Sequence, residues 1–406
     1  MPNLNLRRFS NPDTLSRIKP ESLIEWLQPA RAYLAGRGVT IPAAANDGPV
    51  NLDALAGLFL DPEPDMPAYL VDSLCLIHEM SDPFGMDAIL EAAEDRGLDL
   101  AIGDKPDPVD VAVQAWLKDK TLLEQLHNQH ELTRPRSFLY FGTNASTIPP
   151  FAPPETAQLA ALEARLDDWY AKKKRGRGCR VFAYPKNGEC WFLVRHGLPC
   201  KREGVMDGVE NASIFYRPRK HDVLVYNAAA GEIRANCCGK REREEFRKAF
   251  GVHLFGDEDF FPGTAKYHLD PLVNDGPGCL ACGDVPGIEF VTLKEVEFFQ
   301  PGQPWHRITH RSEDIFQLVA KGMVTWPAVV RITRAGFEIK FADAKKARRV
   351  TLIPPNKAQY TRDDDSALVE QWLKARGFID KSADADQTDP EMASDAMVES
   401  RLIADY

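Results

Sequence analysis

No stretch of this sequence approaches the roughly 18–20 uninterrupted apolar residues that a membrane-crossing helix requires. Met1–Arg8 holds two arginines but no apolar segment follows them, so neither membrane insertion nor secretion is expected. The common nucleotide and hydrolase signatures are missing as well. There is no GxxxxGK[ST] loop, because Gly239-Lys240 is followed by Arg241 and lacks the leading glycine, and there is no GxGxxG, GxSxG or HExxH. Eight cysteines are present, but they are scattered over a large chain rather than spaced as a framework. Reduced thiols and a cytoplasmic location are the expectation.

Charge is plentiful but unevenly placed. The 406 residues carry a net charge of −10. Residues 1–135 hold 11 Lys/Arg against 22 Asp/Glu, residues 136–380 hold 37 against 31, and the last 26 hold 2 against 7. An acidic front and a basic middle make nucleic acid a candidate partner for the basic part. The length suits two to three domains of about 100–200 residues.

The front reads helical. Leu23, Ile24, Leu27, Ala30 and Leu34 follow Pro20-Glu21-Ser22 at helical spacing, and similar segments occupy Asn51–Leu60, Ala68–Met80, Met86–Asp95 and Pro108–His130. The Pro-rich stretch Ile148–Pro154 marks a boundary. Glu155–Lys173 follows as an amphipathic helix with Leu159, Leu162, Leu166 and Trp169 in one stripe, ending in Lys172-Lys173-Lys174-Arg175-Gly176-Arg177-Gly178. From Cys179 the period changes to two. Arg180–Tyr184 and Cys190–Val194 flank a hairpin loop, Pro185–Glu189, and a second hairpin joins Asp222–Tyr226 to Glu232–Asn236. Helix returns at Arg241–Phe250. Strands are expected at Glu289–Leu293, Val329–Thr333, Gly336–Phe341 and Arg349–Ile353, then a helix from Asp363-Asp364-Asp365-Ser366 to Ala375. The three aspartates read as its cap. The fold class is therefore α+β: a helical N-terminal domain, then a mostly antiparallel strand-rich region with a terminal helix. The expected divisions are 1–147, a linker and helix at 148–178, a hairpin domain at 179–262, a C-terminal domain at 263–380 and a disordered acidic tail at 381–406.

Several motifs point to specific chemistry. Arg195-His196-Gly197 resembles the phosphate-pocket signature of the histidine phosphatase family, which implies His196 as phosphoryl acceptor and Arg195 as phosphate holder. The likeness covers Leu193–Gly197. That family sets its motif on an early strand of a parallel sheet, whereas here a tight hairpin loop precedes it. Glu338-Ile339-Lys340 resembles the last element of the PD-(D/E)xK nucleases, which implies metal binding by Glu338 and water polarisation by Lys340. The preceding Val329–Thr333 offers no acidic partner, and Asp314 is the nearest upstream. Cys279 and Cys282 have the spacing and trailing Gly283 of a zinc knuckle, for which Cys237, Cys238 or His268 would have to complete the set. His127 and His130 stand at i and i+3 near a helix end, a spacing that can also bind metal.

Basic residues recur beside aromatics. Lys172, Lys173, Lys174, Arg175, Arg177 and Arg180 form one group, Lys201 and Arg202 a second, Arg217, Arg219 and Lys220 a third, and Lys345–Arg349 a fourth. Phe182, Tyr184, Trp191, Phe215 and Tyr216 lie on adjoining strands. Cations tracking phosphates beside stackable rings are what single-strand or RNA binding needs. The sequence thus reads as a non-enzymatic nucleic-acid-binding accessory or regulatory protein with no required cofactor, whose helical domain docks a protein partner. A multi-protein antiviral-defence or mobile-element system is the expected setting. The rival readings are a metal-dependent nuclease or phosphodiesterase built on Glu338 and Lys340, and a protein-binding scaffold.

Overall fold

The computed structural model describes residues 8–379 apart from 104, 146, 187, 208–209, 238, 300–305, 327–330 and 363–365. The tail expected from Lys381, the Asp363-Asp364-Asp365 cap and Cys238 lie outside the described residues. The chain has the α+β class, with helices first and a large antiparallel sheet behind them. No helix among the described residues is long and apolar enough to cross a membrane.

Two compact units divide between Glu131 and Leu132. The first contains α1 (Pro12–Leu15), α2 (Pro20–Leu27), α3 (Arg31–Gly36), α4 (Leu52–Leu60), α5 (Ala68–Met80), α6 (Pro83–Arg96) and α7 (Pro108–Lys118), and α8 (Lys120–Thr133) ends at its boundary. Local chemistry sets their ends. Pro29 interrupts the expected long first helix with a 3-10 turn, Gln28–Ala30, between α2 and α3. Asp82 caps α6 by accepting from Gly85 N at 2.7 Å, and Gly97, left-handed at φ 64°, closes it. The expected single helix over 108–130 is two. Asp119 leaves the helical region, and its carboxylate caps α8 by accepting from Leu122 N at 2.9 Å. Gly85 sits where a Cβ would lie 2.3 Å from Met80 O, so only glycine permits that turn. Trp26, Phe59, Leu70 and Ile77 anchor the unit's apolar core.

The second unit begins with β1 (Ser137–Gly142), followed by α9 (Thr156–Lys172), β2 (Arg180–Lys186), β3 (Glu189–Gly197), β4 (Lys201–Asp207), β5 (Glu210–Tyr216), β6 (Arg219–Asn227), β7 (Glu232–Asn236) and α10 (Lys240–Phe255). Then come α11 (Pro271–Asn274), β8 (Ile288–Phe299), β9 (Arg307–Arg311), α12 (Ile315–Ala320), β10 (Arg331–Phe341), β11 (Arg348–Ile353), β12 (Lys357–Gln359) and α13 (Ser366–Ala375). Ten strands form one sheet in the order β2-β3-β6-β7-β1-β12-β11-β10-β8-β9, while β4 and β5 make a separate two-stranded ribbon. The unit boundary precedes the proline-rich stretch because β1 is already a strand of this sheet, between β7 and β12. The sheet also runs straight across residues 262 and 263, where two domains were expected. Long-range ladders between β1, β7 and β12 tie the two parts together.

Each half of the sheet is covered on a different face. Leu162, Leu166 and Tyr170 of α9, with Phe246, Ala249 and Phe250 of α10, bury Phe192, Leu224 and Ala235. Trp372 and Leu373 of α13 pack on the opposite face, against Phe337, Ile339 and Leu352. Burying each large side chain of this kind contributes about 1.5–3 kcal/mol.

Candidate nucleic-acid interface

The end of β3 and the start of β6 carry the chemistry. Opposed residues His196 and Lys220 share a face with Asp222, and that face lies under α9 and α10. His196, Asp222 and Glu242 are each at most 3 % exposed. His196 Nε2 lies 2.8 Å from Asp222 Oδ2 and 3.8 Å from Glu242 Oε1, and its Nδ1 lies 2.9 Å from Gly197 O. Tyr170 stacks on the imidazole at 4.2 Å with the ring planes 11° apart. Lys220 Nζ reaches Asp222 Oδ1 at 2.7 Å and Glu242 Oε2 at 3.6 Å, and Arg175 Nη1 reaches Glu242 Oε1 at 2.5 Å. Burial, then the charges of Asp222 and Glu242, push the Tyr170 phenol far above its ordinary range; the same causes hold the Cys237 thiol well up.

Three donor side chains so close could hold a metal ion. Here two permanent cations, Lys220 and Arg175, already balance the two carboxylates. The chemistry of this donor set is that of a closed ion-pair knot, which pins the basic segment after α9 to the sheet and to the start of α10.

That segment cannot continue the helix. Lys174 (φ 61°), Gly176 (φ 78°) and Gly178 (φ 106°) all adopt left-handed backbone. Arg217 Nη1 donates to Lys174 O at 2.7 Å and to Leu198 O at 3.0 Å. A Cβ on Gly197 would lie 2.6 Å from both Arg175 O and Arg217 Cδ, so this close approach also requires glycine. Three of the expected basic groups therefore meet at one place: the loop after α9, the start of β4 and the turn before β6. Within them the charges differ in fate. Arg177 pairs with Asp168 at 2.8 Å and Arg180 with Glu163 at 3.1 Å, and Arg175 and Lys220 belong to the knot. Lys172, Lys173, Lys174, Lys201, Arg202, Arg217 and Arg219 are exposed. Lys173 Nζ lies over the Trp169 ring at 5.7 Å.

The β4–β5 ribbon rises from this cluster. Lys201 opposes Tyr216 and Arg202 opposes Phe215. Phe215 is 74 % exposed, with Met206 and Ile214 also out of the core. The other rings expected to stack are otherwise engaged. Phe182, Tyr184 and Trp191 pack on the core, with Arg195 over Phe182 at 5.4 Å and Arg234 over Trp191 at 5.1 Å. Tyr216 donates its hydroxyl to Glu203 Oε2 at 2.7 Å.

A second basic surface takes Arg349 from the fourth basic group and adds two arginines that the sequence did not single out. Glu295 on β8 is 1 % exposed, and Arg311 Nε and Arg334 Nε each lie 3.0 Å from its oxygens while Arg349 bonds it as well. Arg311 stands directly opposite on β9, and Arg349 reaches over Gly336 from β11. Three guanidinium groups around one carboxylate leave an excess of positive charge. Register relates the two surfaces: Leu224, Ala235, Leu139, Lys357 and Ile353 align across five strands, so Lys220 on β6 and Arg349 on β11 lie on the same face at the same end of the sheet.

The remaining candidates do not assemble the sites that their motifs suggest. Arg195 and His196 are consecutive on β3 and so point to opposite faces, and β3 is antiparallel to both neighbours. That geometry removes the phosphate-pocket reading. Glu338 pairs with Lys294 at 2.9 Å and Lys340 with Glu289 at 2.9 Å, while Asp314 caps α12. Among the described residues Glu338 joins no group of three potential metal ligands. Cys279 is buried, its thiol pushed up to about 12 by burial and by Asp275, and Cys282 is raised mainly by burial. The two thiols likewise join no such group among the described residues. No known protein family matches the chain, and no curated protein matches its sequence.

Proposed function

We propose that this protein is a non-enzymatic nucleic-acid-binding accessory protein whose strand-rich unit grips a single-stranded backbone. One observation carries the reading: three basic segments, far apart in sequence, converge where Arg217 joins Lys174 and Leu198, at the foot of a ribbon that presents Arg202 and Phe215. Exposed ammonium and guanidinium groups would meet phosphates there, and Phe215 offers a face for a base. Arg311, Arg334 and Arg349 would extend the track along the sheet. The buried knot keeps the loop in place without taking part in chemistry.

Ultraviolet cross-linking to single-stranded DNA and RNA, followed by peptide mapping, tests this. Cross-links are expected in residues 172–180 and 198–219. Cross-links confined to the helical unit, or none with either polymer, would remove the reading and favour a protein-binding role for the ribbon's exposed Met206, Ile214 and Phe215.

A further inference from the structure

The helical unit holds a second group of metal-ligating side chains, chemically unlike the buried knot. Glu79 lies in the last turn of α5, and His127 and Glu131 lie one turn apart on α8. His127 Nε2 bonds Glu79 Oε2 and lies 3.9 Å from Glu131 Oε1, and one donor atom from each of the three falls within 4.8 Å of the others. We propose that Glu79, His127 and Glu131 form a divalent transition-metal site, best matched to Zn²⁺, with a fourth position open to water.

The donor types are those zinc takes, one imidazole nitrogen and two carboxylate oxygens, at about 2.0–2.2 Å from the ion. A tetrahedral ion with such bonds holds its ligands roughly 3.3–3.5 Å apart. The 3.9 Å between His127 and Glu131 lies close to that value and all three donors fall within 4.8 Å, so rotamer adjustments within two helices suffice. The i, i+4 placement puts His127 and Glu131 on one face of α8 before any ion arrives, which lowers the ordering cost. Two carboxylate donors beside an imidazole also suit a divalent cation. Side-chain exposures of 13 %, 30 % and 19 % for His127, Glu79 and Glu131 give water access to the open position. The sequence pairs His127 with His130, but the structure exchanges that partner for Glu131 and adds Glu79 from a helix 48 residues away.

The test uses the full chain, stripped with a chelator and titrated with Zn²⁺ by calorimetry and with Co²⁺ by visible absorption. About one ion per chain is expected, with the intense ligand-field bands of a four-coordinate Co²⁺ centre and a rise in melting temperature on adding Zn²⁺. His127→Ala and the near-isosteric Glu131→Gln should each lower affinity about tenfold or more, while Cys279→Ser should leave it unchanged. Circular dichroism checks that each variant is folded, and Glu131→Gln carries the test if His127→Ala is not. No stoichiometric uptake of either ion would reduce the cluster to a histidine–carboxylate hydrogen bond and overturn the proposal. Uptake that survives in the folded variants, or that Cys279→Ser abolishes, would overturn it equally.

Discussion

Glu242 shows how one side chain can be indispensable without being catalytic. It is buried against Arg175, Lys220 and His196, so it offsets charges contributed by the loop after α9 and by β6 and packs beside the imidazole from β3. Replacing it by glutamine keeps the shape but leaves Arg175 without its carboxylate and Lys220 with Asp222 alone. Breaking a buried pair this way costs about 3–5 kcal/mol. Because Arg175 and Lys220 are each about one-fifth exposed, the lower end, about 3 kcal/mol, is expected for Glu242→Gln in urea unfolding. A loss under about 1 kcal/mol would mean that the knot does not hold the loop. At this scale the sequence was only partly legible. It marks Arg175, His196 and Lys220 as notable residues, but it cannot show that Glu242, in a different element, closes on all three. Nor does it reveal Glu295, whose role comes from arginines on strands β9, β10 and β11.

Elements were legible where their causes are local. Asn, Asp or Pro at a start and glycine at an end place most helices within a few residues, and α5 falls on the expected bounds. Misplacements have local causes too: Pro29 splits the first long helix, and Asp119 serves two helices at once. Strand pairing is non-local, so β1, β4, β9 and β12 went unseen, β5 was marked only by Phe215 and Tyr216, and β1 turned out to lie mid-sheet. The ribbon matters most among these. With Phe215 74 % exposed, it has no packing role to lose, which makes Phe215→Ala a clean probe. Stacking on an aromatic ring is worth about 1–3 kcal/mol per base. The expected result is a loss of roughly tenfold or more in single-strand affinity with an unchanged melting temperature. Unchanged affinity would restrict the ribbon to electrostatic contact.

Across the whole molecule, the charge split in the sequence points to the unit that carries the proposed nucleic-acid surface, because net charge is a property of composition. The structure refines that picture by subtraction. Arg175, Arg177, Arg180 and Lys220 spend their charge on Glu242, Asp168, Glu163 and Asp222, while backbone carbonyls orient Arg217 and the arginines around Glu295 outnumber their partner. What remains is a surface built from distant segments, which no reading of neighbouring residues assembles.

The salt dependence of single-strand binding tests this most directly. Fluorescence anisotropy of a labelled oligonucleotide, measured from low to near-physiological salt, should give log K falling linearly with log salt, with a slope near −0.7 for each phosphate contacted. Lys201→Ala with Arg202→Ala should weaken binding and make that slope shallower by about one unit or more. Binding that is absent at low salt, or whose slope ignores those substitutions, would contradict the account.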